Sequence, residues 1–268
     1  MIKAAVLGSP ITHSLSPVLH QRAYEILGVP ARYEAIELIP SQALNFFRKA
    51  LREDWRGFSL TMPLKETIFE LTSEVDFDID PIALRMRSAN TLVKEGDGFR
   101  AISTDLTAFD RLLDPVEKAR VAIIGGGGTA RAVLAALDGK ARQIDFLLRS
   151  PLRAGLLSDI SLKSHLNFYG MDHSLQGYDL VISTVPSGAS DGIAADIDFR
   201  IPTFFEVLYD PSPTPLLDKA RVLGAQVFDG IDLLVEQALD QIALFSGKDF
   251  AFDAMRGDLL VTGRSHLK

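Results

Sequence analysis

The stretch Arg120-Val-Ala-Ile-Ile-Gly-Gly-Gly-Gly-Thr-Ala-Arg131 decides the fold. Four apolar residues, Val121 to Ile124, run directly into four glycines, and Thr129 to Ala135 read as the start of a helix. A short, wholly apolar run is the pattern of a parallel strand covered on both faces. Glycines behind it let the backbone turn tightly and approach a ligand where a Cβ would collide. The helix then aims its free N–H groups and the positive end of its dipole at the turn, which suits a phosphate. Gly125, Gly127 and Ala130 satisfy G-x-G-x-x-G/A, with Gly126, Gly128 and Thr129 between and beside them. A flexible loop, or a site for a methyl-donor nucleotide, could use the glycines alone. The strand before and the helix after favour a dinucleotide.

The next strand sharpens the cofactor. An NAD site usually has Asp or Glu about 20 residues past the glycines, holding the ribose hydroxyls. Here the strand Gln143–Leu148 ends in Arg149-Ser150-Pro151-Leu152-Arg153, with no carboxylate at the tip. A guanidinium can hold a 2′-phosphate bidentately, whereas a carboxylate would repel it. Arg149, Ser150 and Arg153 therefore point to NADP over NAD. Asp145 lies mid-strand, too early for the ribose role.

Further strands near 166–169, 179–184, 203–207 and 225–228 complete an α/β domain around the glycine turn. Upstream, strands at 3–7, 32–38 and 57–61 alternate with helices at 17–27 and 41–51 and one opened by Pro63. Ser16 is the expected N-cap of the first, with Pro17 in its first turn. A short helix over 81–87 precedes a hairpin of 90–94 and 99–103, turned at Glu95-Gly-Asp-Gly98. This rhythm predicts a mixed sheet. A helix from Leu106 to Leu113 crosses between the domains. Helices at 231–245 and 250–256 follow the second sheet and are expected to return to the first domain. The expected fold is thus α/β in two domains. Residues 1–105 plus 232–268 bind substrate, residues 106–231 form a Rossmann-like NADP-binding domain, and a cleft lies between them.

Composition narrows the class. The 268 residues are 47% hydrophobic, enough for sizeable cores. No apolar run approaches the ~20 residues of a membrane span, and the N-terminus is too quickly broken for a secretory signal. The absence of cysteine excludes disulfides, thiolate zinc sites and cysteine nucleophiles, and a cytoplasmic enzyme is expected. A net charge of −7 argues against a nucleic-acid partner. The histidines show no ligand spacing, so no metal is expected.

Four clusters outside the glycine turn carry chemistry: His13-Ser14-Leu15-Ser16-Pro17, Ser59-Leu60-Thr61-Met62-Pro63-Leu64-Lys65, Ser88-Ala89-Asn90-Thr91-Leu92 and Ser103-Thr104-Asp105. Taken singly, each has a plain reading as a cap or a solvated side chain. Lys65 is the least ordinary, because a lysine in a first helical turn opposes the helix dipole. In this order, followed by the glycine turn and by Gly230-Ile-Asp-Leu-Leu-Val-Glu-Gln237, they resemble the shikimate dehydrogenase family along essentially the whole chain.

The resemblance implies reversible NADPH-dependent reduction of 3-dehydroshikimate to shikimate, in aromatic amino-acid biosynthesis. It implies that Ser14 and Ser16 bind the substrate carboxylate. Thr61, Asn90, Asp105 and Gln237 would hold ring oxygens, and Lys65 with Asp105 would form the catalytic pair. Tyr209 falls at a substrate-side position and Gly230 beside the nicotinamide end of the cofactor. The sequence departs from the usual family pattern at four places. Ser59 replaces an Asn, Ser103-Thr104-Asp105-Leu106 an Asn-Thr-Asp-Gly, and Leu148-Arg149-Ser150 an Asn-Arg-Thr, while Asp232 stands where glycine is frequent. These departures leave room for a quinate or other cyclic polyol-acid dehydrogenase of the same family, one able to use NAD. A non-catalytic NADP or metabolite sensor is a third reading, opposed by the intact Lys65 and Asp105. A monomer or homodimer with a small-molecule substrate is expected.

Overall fold

Val121 to Ile124, fully buried, form the strand from which one of two sheets is built. The computed structural model describes residues 1–113, 116 and 118–267. These fall into two units, Met1–Ala108 with Leu234–His266, and Phe109–Leu233.

The first unit contains β1 (Ile2–Gly8), α1 (Ser16–Ile26), β2 (Ala31–Glu37), α2 (Pro40–Ala50), β3 (Gly57–Leu60), α3 (Leu64–Thr67), β4 (Phe77–Ile79), α4 (Pro81–Met86), β5 (Thr91–Glu95), β6 (Gly98–Ile102) and the start of α5 (Thr104–Leu112). Its sheet order is β2-β1-β3-β5-β6-β4. β1 runs parallel to β2 and β3, β5 is antiparallel to β3 and β6, and β4 is parallel to β6. The mixed sheet expected from the sequence is present. On α2, Ala43, Phe47 and Ala50 fall on one face and are buried among Phe58, Trp55 and Phe99.

The second unit contains β7 (Arg120–Ile124), α6 (Gly128–Leu137), β8 (Gln143–Leu147), α7 (Arg153–Ile160), β9 (Leu166–Tyr169), β10 (Leu180–Ser183), α8 (Asp191–Asp196), β11 (Thr203–Glu206), α9 (Pro215–Val222) and β12 (Gln226–Phe228). All six strands are parallel, in the order β12-β11-β10-β7-β8-β9. The chain leaves β7 first toward β9 and then returns to build outward from β10. The glycine turn therefore sits at the point where strand order reverses, the usual ligand position in such sheets. Two helices close the chain. α10 (Gly230–Ser246) belongs to the first unit from Leu234 onward, and α11 (Phe252–Ser265) belongs to it entirely. Among the described residues no helix is long and apolar enough to cross a membrane.

Several expectations need correction. Ser16 does not cap α1. Leu15 already has helical angles (φ −86°, ψ −5°) and is the N-cap without a side-chain bond, so Ser16 is the first helical residue. Ser14 Oγ instead accepts the Ser16 N–H at 3.4 Å. The dipole argument for Lys65 also lapses, because α3 has four residues and Lys65 lies in its last turn as much as its first. α11 runs nine residues past Arg256. Gly257 costs roughly 1 kcal/mol of helix propensity, but Met255, Leu259 and Gly263, spaced by four, form a buried face that offsets it. β4 escaped the sequence reading because Phe77-Asp78-Ile79 is too short to show a period.

α10 lies against the first sheet so closely that β3 needs a glycine beneath it. A Cβ on Gly57 would stand 2.3 Å from Phe245 Cε1 and 2.5 Å from the Leu92 carbonyl oxygen. Gly57→Ala is expected to destabilise the protein by about 1–3 kcal/mol, as overpacked cores do. Thermal and urea unfolding of the variant against the parent measure it.

Candidate active site

Three strand ends of the first sheet converge on one polar cluster. Lys65 follows β3 on α3, Asn90 immediately precedes β5, and Asp105 opens α5 just after β6. Because β5 is antiparallel to both neighbours, its beginning lies beside the ends of β3 and β6. Lys65 Nζ donates to Asp105 Oδ2 at 2.6 Å, with side chains 18% and 7% exposed. The pair is thus reachable from one side and otherwise enclosed.

Asn90 fixes the carboxylate. Its Oδ1 accepts the Thr104 backbone N–H at 2.7 Å, so its amide nitrogen must point the other way. That nitrogen donates to Asp105 Oδ1 at 2.8 Å and to Gln237 Oε1 at 3.2 Å. Gln237 projects from α10, and its own Nε2 donates to the Leu234 carbonyl at 3.1 Å. Lys65, Asn90, Asp105 and Gln237 are therefore brought together, as one hydrogen-bonded group.

Ser14 and Ser16 lie at the β1–α1 loop, and neither bonds directly to that group. Ser16 is buried. Thr61 stands half-buried just past β3, its N–H on the Leu7 carbonyl at 2.9 Å. Gly8 has no room for a Cβ, which would fall 2.3 Å from Thr61 Cγ2.

The sequence reading missed Gln241 and its surroundings. Gln241 is fully buried one helical turn beyond Gln237. Its Oε1 accepts the Ser59 hydroxyl at 2.6 Å and faces His20 Nε2 at 3.3 Å, and its Nε2 donates to Thr91 Oγ1 at 2.9 Å. Tyr33 donates to Ser59 Oγ at 2.6 Å. The i, i+4 spacing of the two glutamines was the signal available. His20 stacks on Tyr33 with ring centroids 3.8 Å apart. Burial pushes the imidazole down to about 3 from its ordinary 6.5, so the ring is neutral. With Nε2–H on Gln241, its Nδ1 accepts from the Tyr24 hydroxyl at 3.2 Å. Burial also raises the Tyr24 and Tyr33 hydroxyls well above the ordinary phenol range.

The second unit holds the glycine turn. Gly125 has φ +110°, and a Cβ there would fall 2.5 Å from Thr184 Oγ1. A Cβ on Gly126 would press on Leu148 and Arg153, at 3.0 and 3.2 Å. Gly127 is the extended N-cap of α6 with no side-chain cap, so the first N–H groups of that helix, at Gly128 and Thr129, face the turn. Ala130 is buried behind them. The two arginines differ in posture. Arg153 Nη1 donates to the Gly126 carbonyl at 2.9 Å, tying α7 across the turn, whereas Arg149 is exposed. Ser150 lies between them, half-buried, its carbonyl accepting the Arg153 N–H at 3.5 Å.

Tyr209 is half-buried in the loop after β11. Glu206, fully buried at the end of that strand, braces the loop by accepting from the Leu208 N–H at 3.3 Å and the Thr214 hydroxyl at 3.0 Å. Burial raises its carboxyl above the usual range. Gly230 opens α10, where a Cβ would fall 2.5 Å from the Val207 oxygen. Asp232 has a local reason: Asp229 Oδ1 accepts the Ile231 and Asp232 N–H groups, and Asp232 Oδ2 accepts the Asp229 N–H at 2.9 Å. This is a capping box built from two aspartates. Among the described residues no group of three metal-ligating side chains is found.

A parallel sheet with a glycine-lined helix N-terminus at its switch point, joined to a unit bearing a lysine–carboxylate pair, defines a dinucleotide-dependent α/β enzyme of the oxidoreductase class. The family pattern described as the shikimate dehydrogenase substrate binding domain matches residues 6–92. The shikimate dehydrogenase (NADP(+)) of Methanococcoides burtonii is 30% identical over 96% of this chain and 97% of its own. That of Sphingopyxis alaskensis is 33% identical over 91% and 90%. The crystal structure of Mycobacterium tuberculosis shikimate dehydrogenase superposes with a TM-score of 0.86 at 31% identity, covering 97% of this chain and 99% of that one. The Thermus thermophilus enzyme, solved with NADP(H) and shikimate, gives 0.81 at 25% identity, over 98% and 100%. The chain belongs to the shikimate dehydrogenase family.

The neutral His20 makes a pH signature. Its lowered value means that the unfolded chain binds a proton below pH 6.5 while the folded one does not until about 3. Its contribution to stability is present above 6.5 and is lost as pH falls through that window. His20→Gln is expected to flatten this part of the stability profile, read by thermal unfolding across the same range.

Proposed function

We propose that the protein catalyses the reversible NADPH-dependent reduction of 3-dehydroshikimate to shikimate, a step of aromatic amino-acid biosynthesis. The observation that carries this reading is the Lys65–Asp105 pair at 2.6 Å, held by Asn90 within a unit that matches the family's substrate-binding domain. Met1–Ala108 with Leu234–His266 is then the substrate domain and Phe109–Leu233 the cofactor domain. The enzyme works in the cytoplasm, as a monomer or a homodimer, on a small-molecule substrate.

The residues suit the chemistry. NADPH supplies the hydride when bound. The carbonyl oxygen that receives negative charge needs a proton or a nearby cation. The Lys65 ammonium supplies either, and Asp105 holds it in place. Asn90, Gln237 and Thr61 offer an amide and hydroxyl set for the ring oxygens, and Tyr209 a further hydroxyl from the loop after β11. Ser14 and Ser16 take the carboxylate with neutral hydroxyls, so affinity for that anion rests on local dipoles in a protein of net charge −7. On the cofactor side, Gly125 to Ala130 cradle the pyrophosphate, Arg149, Ser150 and Arg153 take the 2′-phosphate, and Gly230 lies toward the nicotinamide end. The relatives' names do not favour the NAD-using or quinate alternatives.

Shikimate oxidation followed by NADPH absorbance, with NADP and separately with NAD, tests the reading. Lys65→Ala is expected to leave NADPH binding intact and to lower kcat by about 10²–10⁴-fold, the usual worth of a positioned acid–base group. Near wild-type turnover in that variant would refute the role of Lys65. Arg149→Ala is expected to raise KM for NADP by roughly ten- to a hundredfold, the equivalent of a lost charge-assisted hydrogen bond, and to leave KM for NAD unchanged.

A further inference from the structure

Gln241 occupies the centre of a buried network of hydrogen bonds, most of whose directions follow from fixed donors and acceptors. Its Nε2 faces the Asn90 backbone carbonyl at 3.4 Å, an acceptor only, so the amide nitrogen lies on that side and Oε1 on the side of Ser59 and His20. The Thr91 hydroxyl, accepting from Gln241 Nε2 at 2.9 Å, is left to donate and faces Thr104 Oγ1 at 3.1 Å and Asn90 Oδ1 at 3.2 Å; Thr104 Oγ1 is itself 3.2 Å from Asn90 Oδ1, so the path reaches Asn90 directly or by way of Thr104. Asn90 Oδ1 is fixed as an acceptor by the Thr104 N–H, so its Nδ2 donates to Asp105 Oδ1 at 2.8 Å. Asp105 Oδ2 accepts from Lys65. At the other end the Tyr33 hydroxyl donates to Ser59 Oγ, and the Ser59 hydroxyl donates to Gln241 Oε1, both at 2.6 Å. The path thus runs from Tyr33 through Ser59, Gln241 and Thr91, directly or by way of Thr104, to Asn90 and Asp105.

We propose that Gln241 is a positioning residue for the reaction, orienting Asn90 and hence Asp105 and Lys65 through Thr91, and joining them to Ser59 and Tyr33. This rests on the shikimate dehydrogenase reading. A glutamine amide accepts at one atom and donates from the other, and both are required here. The side chains that meet Gln241 are His20 from α1, Ser59 from β3, and Thr91 and Thr104, with Tyr24 behind His20 and Tyr33 behind Ser59; Asp105 is the carboxylate the hydrogen-bond path reaches. The residue also accounts for Ser59, whose short hydroxyl meets the Gln241 oxygen.

The test is a double-mutant cycle on purified full-length enzyme, with shikimate and NADP as substrates. Gln241→Leu and Thr91→Val are each expected to lower kcat by roughly ten- to a hundredfold, the cost of a small misplacement of reacting groups. KM for NADP should stay unchanged. The double variant should fall no further than the worse single one, because both cut the same chain. Thr91→Ser, which keeps the hydroxyl, should restore kcat. Wild-type kcat in folded Thr91→Val, losses that multiply in the double variant, or no rescue by serine would each overturn the proposal. Should Gln241→Leu fail to fold, the Thr91→Val and Thr91→Ser pair decides alone. A wild-type enzyme without shikimate oxidation would overturn both this inference and the function on which it rests.

Discussion

The orientation of one amide, that of Asn90, governs the first unit. A backbone N–H at 2.7 Å leaves Oδ1 no choice of side, and the nitrogen is thereby aimed at Asp105 and Gln237. Three segments far apart in sequence meet at this one group: the start of β5, the start of α5 and the middle of α10. A buried network of this kind is stabilising only when every member is satisfied, since an unpaired buried polar atom costs about 1–3 kcal/mol. Here each partner is supplied by a different element, so the polar cluster and the packing of sheet against helix specify one another.

Much of this was legible in the chain. The apolar run before four glycines gave the strand, the turn and the helix, because burial on both faces leaves no polar alternation and the turn excludes a Cβ. The missing acid and the two arginines after β8 were visible as residue types. Their unequal roles were not, because the bond from Arg153 to the Gly126 carbonyl exists only once α7 is folded beside the turn. For Lys65 the dipole argument fails, because its helix is too short to have a dipole worth opposing; the resemblance paired it with Asp105, forty residues away, and the fold brings the two into contact.

What the sequence concealed was mainly what tertiary contact creates. Gln241 looked like a polar residue at the edge of an apolar helix face. It is fully buried because α10 is covered on both sides of that face, with Glu236, Gln237 and Leu239 buried alongside it. α11 looked finished at Gly257 because propensity is local, whereas the buried spacing of Met255, Leu259 and Gly263 is a property of packing. The same gap explains Asp232, where a departure from the family pattern turned out to be half of a helix cap.

The two outermost strands of the first sheet have a bearing on self-association. β4 is three residues long and carries the exposed Asp78 at its centre. β2, at the opposite margin, shows solvent the Arg32–Glu34 ion pair at 2.9 Å and the exposed Glu37. Short length and outward charge make a poor template for a further strand, since an incoming chain would have to desolvate those groups. The brevity of β4 and the charges on β2 thus disfavour pairing of a further strand at either margin of the mixed sheet.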